Sequence, residues 1–191
     1  ILYICIVMYY IIYLILFIVV VSIIMMIQSV DNELTYQVST IDNKKYLVRN
    51  DERKQESANY MAKIRKNLHI LVNHLKVNFS NDHRIDILTK KYNPDNLSES
   101  MKSSIYTSYS VNKGQKIVIC IKEKNEAETM IGLNTVMFVV IHEISHIITK
   151  SIGHTDEFWN NMRFLLEQSI NLGIYKKEDY KKNPKKYCGI E

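Results

Sequence analysis

Four residues in the last third of the chain have the types and spacing of a metal-dependent hydrolase. His142, Glu143 and His146 form the motif H-E-x-x-H, and His154 follows after seven further residues. On a helix, side chains four residues apart lie on one face, so both imidazoles of the motif can bind a single Zn²⁺ at about 2.0–2.1 Å. Glu143 lies about 100° further round the helix, where it can contact a metal-bound water without binding the metal. The spacing therefore predicts a zinc hydrolase site.

The residues around the motif predict a buried helix within residues 125–150. Between Thr135 and Ile148 the segment is apolar on nearly every side, which is typical of a helix with no face toward solvent. Buried histidine and glutamate side chains need polar partners, and a metal with its water would supply them. Gly153 favours the left-handed turn that follows a helix. This turn would return His154 toward the other two histidines as the third ligand, with a fourth position left open for water.

Another residue competes with His154 for the third ligand position. Glu167 lies 21 residues after His146 on the next predicted helix, and zinc sites with two histidines and one glutamate occur in hydrolases. Asp156 and Glu157 are closer in sequence. We interpret these two as acids of the first helical turn or as partners that orient an imidazole. His154 is the ligand that we favour.

The same residues carry a resemblance to known proteases. HEISH followed by GHTDEFW is similar to the zinc metalloprotease group that includes the WLM and SprT-like domains, in which a histidine after the HExxH helix precedes an aromatic residue. Together with NKGQKIVIC and the final YCG, these stretches also resemble uncharacterised membrane-anchored metallopeptidase-like proteins of large DNA viruses. The resemblance covers roughly residue 92 to the C-terminus. It implies an α+β, zincin-like metalloprotease domain in which a small antiparallel or mixed sheet packs on the HExxH helix.

The N-terminal segment is predicted to be a membrane anchor. Residues 1–27 contain no charged residue, and as a helix they would be about 40 Å long, more than the roughly 30 Å of a hydrocarbon core. A cleavable signal peptide has a shorter apolar region and a small-residue cleavage site, which this segment matches poorly. We therefore expect one transmembrane helix at residues 1–28. The side of the membrane stays open, because Asp31 and Glu33 precede the first lysines, Lys44 and Lys45.

The chain after the anchor divides into two parts. Residues 29–56 are polar, mixed in charge and weakly patterned, so we expect a stalk. Residues 57–191 are expected to form the zinc metalloprotease-like domain. This division gives a single-pass membrane protein with one domain of ordinary size.

Three stretches of the expected domain have distinct patterns. Residues 57–77 have apolar side chains at three- and four-residue spacing, which predicts an amphipathic helix. Residues 82–100 contain a turn-prone Asn-Pro pair and predict a loop with a short strand at residues 85–88. Residues 105–121 alternate apolar and polar side chains around an Asn-Lys-Gly turn, which predicts a hairpin. We expect residues 116–121 to form the exposed edge that aligns an extended peptide by main-chain hydrogen bonds.

Charge and cysteine content limit the partners and the compartment. All 25 Lys and Arg and all 20 Asp and Glu follow Val30, and the net charge is +5. This modest charge permits nonspecific attraction to phosphates but does not require nucleic acid as a partner. Cys5, Cys120 and Cys188 do not form a spaced framework, so we expect no disulfide scaffold, and a reducing compartment is favoured.

The predicted mechanism is hydrolysis of a peptide bond. Zn²⁺ held by the three histidines would lower the pKa of its bound water toward about 7. Glu143 would take the proton as this water attacks the scissile carbonyl of a protein or peptide substrate. A nearby donor would share the oxyanion charge. Three tyrosines of the C-terminal segment are candidates for this donor: Tyr175, Tyr180 and Tyr187.

Two other functions compete with a membrane-anchored zinc metallopeptidase. The WLM and SprT-like resemblance implies a DNA-associated protease acting on protein–nucleic-acid crosslinks, against which the apolar N-terminal segment argues. The second is a catalytically silent, zinc-holding interaction protein, and the presence of Glu143 argues against it.

Overall fold

The computed structural model describes residues 2–190, and these residues form five helices and five short strands. The protein is a mixed α+β protein with a small sheet, as expected. The elements in chain order are α1 (Leu2–Glu33), β1 (Leu34–Val38), β2 (Lys45–Arg49), α2 (Lys54–Asn78), α3 (His83–Lys91), β3 (Leu97–Glu99), β4 (Tyr109–Val111), β5 (Lys116–Ile119), α4 (Leu133–Ile148) and α5 (Asp156–Asn171).

The five strands form one mixed sheet in the order β1-β2-β3-β5-β4. β2, β3 and β5 are parallel, whereas β1 pairs antiparallel with β2 and β4 pairs antiparallel with β5. The expectation that residues 116–121 form the exposed edge is wrong, because β5 lies between β3 and β4. The edge strand of the predicted hairpin is β4.

The expectation that residues 29–56 form a stalk is also wrong. Within this segment β1 and β2 form a regular antiparallel pair, from Leu34 opposite Arg49 to Val38 opposite Lys45. Tyr46 and Val48 are buried in the hydrophobic core. Arg49 contributes to the polar character of this segment. Its side chain is nevertheless buried, because it is paired with the buried Glu99 carboxylate at 3.5 Å. A paired charge can lie in a sheet where an unpaired one could not.

Helices α2, α3, α4 and α5 and the sheet contribute side chains to one hydrophobic core. The predicted amphipathic helix is confirmed as α2, and its apolar stripe is fully buried. Burial of one such Leu or Ile side chain stabilises the fold by roughly 1.5–3 kcal/mol. The strand expected at residues 85–88 is instead part of α3, whose first turn is capped by the Asp82 side chain. The buried stripe of α2 consists of Met61, Ile64, Leu68, Leu71 and Leu75.

The helix that carries the motif begins later than its sequence indicates. α4 starts at Leu133 after Gly132, because the preceding residues form a β-bridge between Lys122 and Met130. Glu128, with φ of 43°, turns the chain between them. The helix is buried as predicted, with Val140, Ile144 and their neighbours in the core.

A disulfide joins Cys120 to Cys188, 68 residues further along the chain. The expectation of no disulfide is therefore wrong, and with it the ground for favouring a reducing compartment. The bond fixes the C-terminal turn to the residue that follows β5. Its pairing was not visible in the sequence because it depends on the fold, not on the spacing of the cysteines.

The N-terminal helix α1 is long and apolar enough to span a membrane. The stretch Met8–Ile27 has 20 residues and a mean hydropathy of 3.0, and none of it is buried by the rest of the protein. Of the expected anchor, Ile1 lies outside the described residues. α1 continues directly into β1, and the backbone carbonyl of Glu33 accepts a hydrogen bond from the Asn50 amide at 2.8 Å.

Candidate metal centre

The three predicted histidine ligands converge on one point. The Nε2 atoms of His142 and His146 are 3.3 Å apart, and those of His142 and His154 are 3.0 Å apart. All three residues offer a ligand atom within 4.8 Å of one another. Two ligands of a tetrahedral zinc ion at about 2.0–2.1 Å lie about 3.3 Å apart. The donor set and its spacing therefore fit one zinc ion.

The turn after α4 brings His154 to the other two rings. α4 ends at Ile148, and Gly153 has φ of +84°, the left-handed conformation expected for it. The Glu157 carboxylate accepts hydrogen bonds from the backbone amides of Lys150 and Ser151, each at 3.0 Å. These bonds lower the pKa of Glu157 to about 2. Glu157 therefore orders the turn and is not part of the histidine cluster.

Phe158 forms the base of the cluster. Its fully buried ring is stacked on His146 with centroids 4.4 Å apart, and it contacts His142 at 4.8 Å and His154 at 4.7 Å. The Trp159 ring is tilted against His154, with centroids 5.6 Å apart. Phe158 is not among the candidate site residues of the sequence. Its position four residues after His154 was the available signal for a role in fixing the ligand rings.

Glu143 lies beside the histidines, between α4 and β4. It is only 6% exposed, and burial raises its pKa to about 7, although hydrogen bonds from the Ser110 hydroxyl and backbone amide act in the opposite direction. Burial also lowers the pKa of His142 to about 4, with a smaller contribution from the two neighbouring histidines. His142 is therefore neutral at physiological pH, which is the form that binds a metal.

A cleft of about 510 Å³ opens over these residues. One wall comes from the β4 hairpin and the other from the turn after α4. Lys113 joins the two walls, because its ammonium group donates to the carbonyls of Thr149 at 2.7 Å and Lys150 at 2.8 Å. This lysine could not be found from the sequence, since nothing local connects it with a helix end 36 residues away. The lining residues are Ser108, Tyr109, Ser110, Asn112, Lys113, His142, Glu143, His146, Ser151, Ile152, Gly153 and His154.

The close approach of the hairpin to α4 requires a glycine. Gly114 has φ of +106°, and a Cβ atom there would lie 2.7 Å from Cδ1 of Ile147 and 3.3 Å from the Lys91 carbonyl oxygen. A larger residue would therefore be strained in backbone conformation and would also push the hairpin away from the helix.

The other candidate ligands lie outside the cluster. Glu167 is exposed on α5, and Asp156 is in the first turn of the same helix. Among the described residues, the structure groups only His154 with the two motif histidines. His69 contacts Asn73, and His74 contacts Gln168, so both have ordinary polar partners.

The three tyrosine candidates have different surroundings. Tyr175 and Tyr180 pack against Phe138, with ring centroids 5.9 Å and 5.1 Å away. The Tyr187 hydroxyl instead lies 2.6 Å from the Ser108 hydroxyl, which is in the wall of the cleft. Burial raises the pKa of Tyr187, so its phenol stays protonated and can donate a hydrogen bond.

Comparison with known proteins shows the family of the chain. No protein-family model matches the chain. The chain is 33% identical over 172 residues to the uncharacterized protein R325 of Acanthamoeba polyphaga mimivirus, covering 88% of this chain and 87% of that protein. The chain belongs to the same family as this mimivirus protein.

Shorter matches occur in two other viruses. The uncharacterized protein 136R of Invertebrate iridescent virus 6 is 35% identical over 82 residues, which is 42% of this chain and 44% of that protein. The uncharacterized protein 042R of Invertebrate iridescent virus 3 is 36% identical over 83 residues, or 44% of this chain and 50% of that protein. The expected likeness to proteins of large DNA viruses is confirmed.

Two solved structures are similar to the chain. The crystal structure of Wss1 from Saccharomyces cerevisiae has a TM-score of 0.47 and 18% identity, and the match covers 66% of this chain and 87% of that one. The crystal structure of a Wss1 mutant has a TM-score of 0.48 and 18% identity, with 67% and 92% covered.

Proposed function

We propose that the protein is a membrane-anchored, zinc-dependent metallopeptidase. The observation that carries this proposal is the convergence of the His142, His146 and His154 side chains within 4.8 Å, with the buried Glu143 carboxyl beside them in a cleft. Three imidazoles and an open fourth position are the ligand set of a catalytic zinc site. A structural zinc site would be closed by a fourth protein ligand.

The bound zinc ion would supply Lewis acidity and an ionised water near neutral pH. Glu143 would accept the proton of the attacking water and return it to the leaving amine. Ser110 holds the Glu143 carboxyl at the cleft through its hydroxyl and backbone amide. Tyr187, next to Ser108, is the tyrosine that we propose as the donor to the oxyanion.

The edge strand β4 is the element that we propose aligns the substrate. It lies at the end of the sheet, and its residues Tyr109 and Ser110 line the cleft. An extended peptide can pair with such an edge by main-chain hydrogen bonds. The partner is therefore a protein or peptide with an unstructured segment. In this proposal α1 is the anchor, and the catalytic domain includes β1 and β2 and extends to the C-terminus.

The test uses the full chain purified in lipid nanodiscs. We expect one zinc per chain and cleavage of an unfolded protein such as casein, which stops with a chelator and returns when zinc is added. Glu143→Gln should keep its zinc and lose cleavage, whereas His146→Ala should lose both. Glu167→Gln is the matched control and should retain both.

Two results would overturn the proposal: a chain that binds no zinc, or a Glu143→Gln variant that cleaves as fast as the wild type. Adding single- or double-stranded DNA to the same assay separates the alternative function. We expect no change in rate, and DNA-stimulated cleavage would instead favour a protease acting on protein–nucleic-acid crosslinks.

A further inference from the structure

We propose that the protein rests on the membrane through the β3–β4 loop (residues 100–108), with Ile105 and Tyr106 in the lipid interface. The candidate cleft would then open toward extended protein segments just outside the bilayer. This inference rests on the proposed membrane anchor and names the substrate class of the proposed peptidase. The docking itself is independent of catalysis.

The first step is the short distance between the membrane span and the sheet. The apolar stretch ends at Ile27, and β1 begins at Leu34. Residues 28–33 between them belong to α1, and they extend about 9 Å as a helix. Even fully extended they would reach only about 20 Å. The end of the sheet where β1 starts must therefore lie close to the membrane surface.

The topology places the β3–β4 loop at this same end of the sheet. β1 starts there, opposite the last residue of β2, Arg49. β2, β3 and β5 are parallel, so β3 and β5 also end there. β4 is antiparallel to β5, so it begins there. The loop therefore leaves and re-enters the sheet on the side that faces the membrane.

A direct contact joins the loop to the end of α1. The Ser103 hydroxyl donates a hydrogen bond to the Glu33 carboxylate at 2.9 Å. Two residues further on, the loop presents Ile105 and Tyr106, whose side chains are 88% and 62% exposed. The loop is thus held beside the last turn of the helix that would cross the bilayer.

In this loop, polar backbone groups point toward the protein and apolar side chains point away from it. The ammonium group of Lys124 donates to the Tyr106 carbonyl at 3.0 Å and also to the Ser104 carbonyl. These two carbonyls thus have a partner inside the protein. An exposed isoleucine beside an exposed tyrosine is a combination that the interface of a membrane stabilises, the aliphatic chain by burial and the tyrosine by its apolar ring and polar tip.

The same loop leads into the candidate cleft. The rings of Tyr106 and Tyr109 are in contact, with centroids 5.8 Å apart, and Tyr109 lines the cleft. β4 is four strands away from β1, which at about 4.8 Å per strand is roughly 19 Å across the sheet. The entrance of the cleft beside β4 is therefore within reach of polypeptide that emerges from the bilayer near the protein.

The first experiment measures docking without using catalysis. The full chain is reconstituted in vesicles that contain brominated lipid, and the tryptophan fluorescence of Tyr106→Trp and of Val77→Trp is compared with that of the wild type. Val77 is the matched control. It is 78% exposed at the end of α2, the helix that leads away from this end of the sheet. We expect bromine to quench the added fluorescence of Tyr106→Trp and not that of Val77→Trp. Equal quenching, or none for either, would overturn the proposal.

The second experiment measures substrate choice. One cleavable sequence is offered to the vesicle-bound protein either as a soluble peptide or attached to a lipid anchor by a short spacer. Ile105→Asp should slow cleavage of the anchored peptide at least several-fold and leave the soluble peptide unaffected, whereas Val77→Asp should change neither. An equal loss on both peptides would contradict the proposed orientation. If the wild type cleaves neither peptide, the proposed peptidase fails, and the quenching result still decides the docking.

Discussion

The Tyr187 hydroxyl lies 2.6 Å from the Ser108 hydroxyl, which joins the C-terminal turn to the wall of the candidate cleft. Ser108 in turn accepts a hydrogen bond from the Cys120 amide at 3.0 Å. Cys120 is disulfide-bonded to Cys188, the residue after Tyr187. The turn, the end of β5 and the start of β4 are therefore one connected unit next to the site.

Tyr187→Phe should separate a catalytic effect from a structural one. Loss of one hydrogen bond costs about 1 kcal/mol of unfolding free energy, whereas loss of an oxyanion donor lowers kcat by about 10²-fold or more. We expect the larger effect on kcat, little change in KM and unchanged zinc content. Tyr175→Phe, with its ring against Phe138, is the control and should retain full activity. A wild-type kcat in Tyr187→Phe would remove this residue from the mechanism.

Reduction of the disulfide should destabilise the protein. Closing a loop between residues 68 apart is worth up to about 4 kcal/mol in the chain-entropy model. We expect Cys188→Ser to lower the thermal midpoint and to make it insensitive to reductant, and reduced wild type should unfold at the same temperature as the variant. Cys5→Ser, in α1, should behave as the wild type does. A wild-type midpoint that reductant does not change would contradict the bond.

Lys122→Met should destabilise the sheet at the end where β1 starts. The Lys122 side chain is completely buried, 3.3 Å from the buried Glu99 carboxylate, and it also pairs with Asp51. Burial already raises the pKa of Glu99. Removing Lys122 leaves this carboxylate with Arg49 as its remaining cationic partner among the described residues, at 3.5 Å, and leaves Asp51 without its lysine. Loss of one partner of a buried pair costs about 3–5 kcal/mol.

Equilibrium denaturation of the full chain in nanodiscs measures this loss. Lys45→Met, an exposed lysine of β2, is the control and should be nearly neutral. The double variant Lys122→Met with Glu99→Gln should recover part of the lost stability. A Lys122→Met variant as stable as Lys45→Met would show that the pair contributes nothing.

The pH dependence of stability should report Glu157. Its pKa is lowered from 4.5 to about 2 by the amides of Lys150 and Ser151. A carboxyl with a depressed pKa in the folded state stabilises the fold above its unfolded pKa, and this contribution is lost as pH falls toward the folded value. The thermal midpoints of wild type and Glu157→Gln should therefore differ by a constant amount above about pH 4.5 and approach each other toward pH 2. A difference that does not change over this range would contradict the assignment.

The grouping of the three histidines could be predicted from sequence because its signals are local. His142 and His146 are one helical turn apart, and Gly153 marks the turn that returns His154. The 3-4 spacing of α2 was equally visible within one segment. Periodicity and motif spacing act over short distances, so one chain is sufficient to read them.

What the sequence did not show depends on partners distant along the chain. β2 was hidden by the charge of Arg49, whose partner Glu99 lies 50 residues away. The choice between β4 and β5 as the edge depended on β3, which pairs with β5. The contact of Lys113 with the end of α4 and the bond of Cys120 to Cys188 also join residues that are distant along the chain. Each of these is decided by how the elements pack.

The direct passage of α1 into β1 couples the tilt of α1 to the orientation of the sheet. Glu33 accepts hydrogen bonds through its carbonyl from the Asn50 amide and through its carboxylate from the Ser103 hydroxyl, so this junction is held to the sheet and to the β3–β4 loop. Helices respond to bilayer thickness by changing their tilt. If α1 spans a membrane as proposed, the domain would lean by a corresponding angle in a thicker or thinner bilayer, and lipid composition would change its orientation at the surface.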